Sequence, residues 1–170
     1  FSVTAPAPGP IYVPPVVVPP LVPVPVLPKP EDIEIIPTSE AVKAITPLKP
    51  AEAAAILEKV TSKKVTEILT ELDIVKAADI LEEMSLGKAA DVIDIGSRVL
   101  GLTDKLAYVL VTMEKDKGAS VLLETSPAAA ASITREALKI SSRDTAELIE
   151  KAAVIDLLRT ARVVDLIRPE

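Results

Sequence analysis

Cysteine, histidine, tryptophan, asparagine and glutamine are all absent from this 170-residue chain. Without cysteine there is no disulfide, no thiolate zinc site and no cysteine nucleophile, and the redox compartment stays open. Without histidine the commonest metal ligand and proton shuttle is missing. Loss of asparagine removes every N-glycosylation sequon. Loss of both amides together with cysteine suits a chain built to resist heat damage, which points to a thermophilic source.

Aromatics are nearly absent too, with only Phe1, Tyr12 and Tyr108. Single-stranded nucleic acid therefore finds no stacking platform, and any core must be packed from Ala, Val, Ile and Leu. The net charge is −6, with no cluster of Lys or Arg, which argues against a nucleic-acid partner. Glycine is scarce, at five residues, and no phosphate-cradling loop occurs. No stretch of apolar residues free of proline and charge is long enough for a transmembrane helix.

What the chain does contain divides into two unlike parts. Fourteen of its sixteen prolines fall in the first fifty residues. Residues 11–28 read IYVPPVVVPPLVPVPVLP, without a charge. Proline fixes φ, removes an amide donor and pushes the preceding residue to extended geometry, so this segment must be a polyproline-II-like or irregular extended arm. Ordinary proline-rich linkers carry polar filler, whereas here the filler is Val, Leu and Ile, an apolar strip that marks an interaction site. The candidate partner-binding residues are Ile11, Tyr12, Val13, Val16, Val17, Val18, Leu21, Val22, Val24, Val26 and Leu27. A neighbouring protein subunit is the expected partner. The arm is assigned to residues 1–38, and the cap-like Pro37-Thr38-Ser39-Glu40 places the start of a helical domain, residues 39–170, near Ser39.

In that second part a pair of branched apolar residues recurs every twelve positions: Ile56-Leu57, Ile68-Leu69, Ile80-Leu81 and Val92-Ile93. After a five-residue insertion the period resumes at Val109-Leu110, Val121-Leu122 and Ile133-Thr134. Four positions before each of the first six pairs stands a charge, Glu52, Lys64, Lys76, Lys88, Lys105 and Lys117. Two positions before it stands a small residue: Ala54, Thr66, Ala78, Ala90, Ala107, Ala119 and Ala131.

One continuous helix cannot bury these pairs together. At about 100° per residue, twelve residues leave each pair turned by about 120° from the last. The chain must therefore break once per repeat, and Thr61, Asp73, Ser85, Ser126 and Ser141 are N-cap residues at the required places. The fold class is all-α, a superhelical stack of short helices whose apolar pairs form the core. Gly96 and Gly101, within the insertion from Asp94 to Thr103, predict a bend, and longer capping helices are expected after Ser141.

The segments KAADILEEM (Lys76–Met84) and GKAADVI (Gly87–Ile93) resemble the intracellular N-terminal domain of MgtE-type magnesium channels. The middle domain of the flagellar motor switch protein is similar in style. The likeness spans roughly residues 40–137 and implies a superhelix of short helices. The magnesium regulation of those channels depends on CBS domains and a membrane pore, neither of which lies within these residues.

Candidate chemistry is thin. Glu82-Glu83, Asp91 with Asp94, and Glu31-Asp32 offer carboxylates for a hard cation or an acid/base pair, but their spacing is that of solvated helix faces. Ser141-Ser142-Arg143-Asp144 reads as a helix cap. No enzyme, no cofactor and no metal site is expected. The first residue is Phe rather than Met, which fits a processed form or a fragment. Together with the apolar arm and the heat-tolerant composition, it favours a structural protein of an extracellular or cell-surface assembly such as a surface layer, sheath or filament. The alternative is an intracellular adaptor or regulatory domain of a membrane or motor complex.

Overall fold

The computed structural model describes residues 9–15 and 26–167. Eleven helices and no strands occur among the described residues: α1 (Pro30–Ile35), α2 (Thr38–Ile45), α3 (Pro50–Leu57), α4 (Ser62–Glu71), α5 (Ile74–Glu83), α6 (Leu86–Arg98), α7 (Thr103–Thr112), α8 (Lys115–Glu124), α9 (Pro127–Ile140), α10 (Ser142–Ile155) and α11 (Leu157–Ile167).

The twelve-residue period is the period of these helices. Every residue of the seven pairs is buried, as is the small residue two positions before each. Helices of eight to ten residues span only about 12–15 Å and are too short to persist alone, so packing must hold them. That packing runs chiefly between second neighbours: α2 on α4 on α6 on α8 on α10, and α3 on α5 on α7 on α9 on α11. The structural step is thus a pair of helices, and an apolar pair is covered mainly by the repeat two steps away rather than the adjoining one. Alanine at the recurrent small position lets the stacked backbones approach.

Local sequence explains the breaks. Asp73, Ser85, Ser126 and Ser141 each accept hydrogen bonds from amides of the first helical turn. Thr61 holds the N-cap position without a side-chain cap, and Glu114 caps α8 through the amides of Asp116 and Lys117. Pro50 and Pro127 stand in the first turns of α3 and α9, where no intrahelical amide is lost.

Helical structure also begins earlier than Ser39. Pro30 opens α1 inside the segment read as extended arm, and Glu31 and Asp32 lie in its first turn, where the helix dipole favours acid. Ile33 on α1 is fully buried, so this short helix is part of the stack.

The two glycines of the insertion do different things. Gly101 alone among the described residues has a positive φ, +64°, and reverses the chain after α6. Gly96 lies within α6, where a Cβ would stand 2.1 Å from Leu106 Cδ1 and 3.0 Å from Thr66 Cγ2. It permits α6 to press against α7 and α4. The insertion lengthens α6 to thirteen residues, and second-neighbour stacking continues across it, α5 on α7 and α6 on α8.

Candidate interaction surface

The recurrent lysines join the stack. Lys64 Nζ donates to the carbonyl of Ile36, Lys76 to Leu48, Lys88 to Val60 and Lys117 to Met84, the last at 3.0 Å. Each acceptor lies where an earlier helix has ended and its carbonyls have lost their intrahelical partners. A cation there satisfies an orphan acceptor and opposes the negative end of the helix dipole. The separation is 28 residues for the first three bonds and 33 for the fourth, the difference being the five-residue insertion.

Carboxylates complete the seam in the reverse direction. Glu34 accepts from the amide of Thr61 at 3.1 Å, Glu58 from the amide and hydroxyl of Ser85, Glu82 from the amide of Glu114, and Asp94 from the amide and hydroxyl of Ser126. An acid is thereby set at the positive end of each receiving helix. Three seams carry both members: Glu34 with Lys64, Glu58 with Lys88, and Glu82 with Lys117.

The step from α4 to α7 lacks both. Allowing for the insertion, the carboxylate position is Thr70, whose hydroxyl turns back to the carbonyls of Thr66 and Glu67. The N-cap of α7 is Leu102, which offers no side-chain cap. Lys105 is exposed, and its side chain makes no hydrogen bond or ion pair to Leu72 or to any other group among the described residues. At this open seam lies a groove of about 200 Å³, with an apolar floor of Leu69, Leu72 and Val109 and a rim of Thr70, Ile74, Lys105 and Tyr108. Tyr108 is half exposed, and no carboxylate lines the groove.

The carboxylates singled out in the sequence are not brought together. Glu82 and Asp94 are spent on the seams, Asp91 and Glu83 face solvent, and Glu31 and Asp32 are exposed on α1. Asp94 thus departs from the solvated face its spacing suggested. Among the described residues no cluster of three or more potential metal-ligating side chains occurs, and no helix is long and apolar enough to cross a membrane. The amides of Lys117 and Asp116 hold the Glu114 carboxyl below its usual range. Ser141 caps α10 through the amide of Asp144, as the sequence predicts.

Of the arm residues, Ile11, Tyr12, Val13, Val26 and Leu27 are described, and all are exposed, Ile11 and Val26 by about nine-tenths. Val16, Val17, Val18, Leu21, Val22 and Val24 lie outside the described residues. A further apolar patch lies at the elbow between α10 and α11, where Val154, Ile155, Leu157 and Leu158 are exposed.

Paired helices stacked through second neighbours, with polar side chains tied up in the seams, define a helical-repeat protein of the solenoid class. Residues 31–95 match the family model of the MgtE intracellular N domain, a span that runs from α1 to the last turns of α6. No curated protein and no solved structure matches the chain. The family match shows the resemblance carried by the Lys76–Met84 and Gly87–Ile93 segments. It also overturns the expected extracellular or cell-surface location, because the matched family is an intracellular domain. A secreted surface layer, sheath or filament is left without support. Tyr108 and Lys105, at the open seam, lie beyond the matched residues.

Proposed function

We propose that this chain is a non-catalytic, intracellular interaction domain, a helical-repeat adaptor or regulatory module of a membrane-associated complex, with protein rather than nucleic acid as its partner. The observation that carries this reading is the match of residues 31–95, helices α1 to α6 of the stack, to the intracellular N domain of MgtE. Lys64, Lys76, Lys88 and Lys117, with Glu34, Glu58, Glu82 and Asp94, are bonded at helix ends, an arrangement that fits a scaffold holding its repeats together.

Protease accessibility in intact cells of the source organism tests the reading. The protein should resist externally added protease until the cytoplasmic membrane is breached, and it should then co-sediment with a membrane complex. Digestion in intact cells would contradict it.

A further inference from the structure

At the α4–α7 step both members of the seam are missing, and an apolar hollow lies there. Around this hollow, Lys105 Nζ and Tyr108 Oη are hydrogen-bond donors standing beside an apolar floor, with no acid among the lining residues. That combination suits an extended segment with free carbonyls, few amides and no charge. A polyproline-II ligand is such a segment, because its backbone carbonyls have no internal partner and its proline and branched side chains form ridges that dock on aromatic-lined grooves. The hollow, at about 200 Å³, is smaller than the roughly 300–1,000 Å³ of typical small-molecule sites. It is of a size for a proline ring and a branched side chain.

The chain itself contains such a ligand. Ile11-Tyr12-Val13-Pro14-Pro15 is uncharged, and its first three side chains are 73–88% exposed, so its own domain leaves them uncovered. We infer that the Ile11–Pro15 segment of one copy docks in the Tyr108 groove of a second copy, with Lys105 and Tyr108 donating to its carbonyls. This rests on the interaction-domain reading and names a partner for it, while its test is made on purified protein and is independent of cellular location.

The test replaces Ile74, on the groove rim, with the photocrosslinker p-benzoylphenylalanine in the full chain and mixes nitrogen-15-labelled with unlabelled copies. Irradiation should join position 74 of one isotope to residues 11–15 of the other, identified by mass spectrometry. Links confined to one copy, links outside the arm, or no link at all would overturn the inference. Sedimentation of the otherwise unaltered chain gives a second reading. Val13→Asp, on an exposed residue outside the helical stack, and Lys105→Met should each weaken self-association about tenfold or more with circular dichroism unchanged. Equal association in both variants would contradict the inference.

Discussion

Lys88 donates its ammonium hydrogen to the carbonyl of Val60, 28 residues earlier, across the seam between α6 and the end of α3. Glu58, two residues before Val60, accepts in return from the amide of Ser85, three residues before Lys88. A charge that looks in the sequence like part of a solvated face is therefore a link between repeats.

Removing that charge while keeping the stem tests its role. Lys88→Met should lower unfolding free energy by about 1–2 kcal/mol, the range of a partly shielded hydrogen bond from a charged group. Lys63→Met, on an exposed lysine whose side chain makes no hydrogen bond among the described residues, should stay within about 0.5 kcal/mol of the parent. Urea denaturation of the three proteins side by side measures both.

Glu114 makes the stability of α8 depend on pH. Its folded carboxyl is held below the ordinary range, so its contribution is present at neutral pH and is lost as pH falls through the folded value. Glu114→Gln should therefore be less stable than the parent near neutrality, with the difference shrinking toward zero under acid conditions. Thermal melts across the carboxylate range give the profile, and a difference independent of pH would count against the cap.

The glycines should divide by position. Gly96→Ala places a methyl against Leu106 and Thr66 and is expected to cost about 1–3 kcal/mol, as overpacking does. Gly101→Ala meets no atom within 4 Å but must hold φ at +64°, at a cost of about 1 kcal/mol. Gly87→Ala, in the first turn of α6 and in open space, should be neutral or slightly stabilising. Denaturant midpoints for the three variants rank them.

Much of this fold is legible in the sequence. The angular argument on Ile68-Leu69 and Ile80-Leu81 forces a break per repeat, and Asp73, Ser85 and Ser126 mark the breaks because cap chemistry is local. The partners across the seams are not legible, since whether Lys88 reaches Val60 is decided by second-neighbour stacking that no local preference encodes. The helix α1 is masked in the sequence because Pro30 continues a proline-rich arm, although proline followed by Glu31-Asp32 is a helix-start signal. The groove at Tyr108 was hidden for a related reason. Thr70, Leu102 and Lys105 become significant only once the clasps at the other steps show what is missing there.

Cysteine crosslinking most directly tests the central claim, that helices stack on their second neighbours so that the end of α3 meets the start of α6, its third neighbour. The chain has no cysteine of its own, so a Glu58→Cys/Ser85→Cys pair reports on one seam alone. The seam predicts rapid joining of this pair by a short thiol crosslinker. A Glu58→Cys/Asp73→Cys pair is closer in sequence but separated by the length of α4, about 15 Å, and should remain unlinked. Preferential joining of positions 58 and 73 would contradict this architecture.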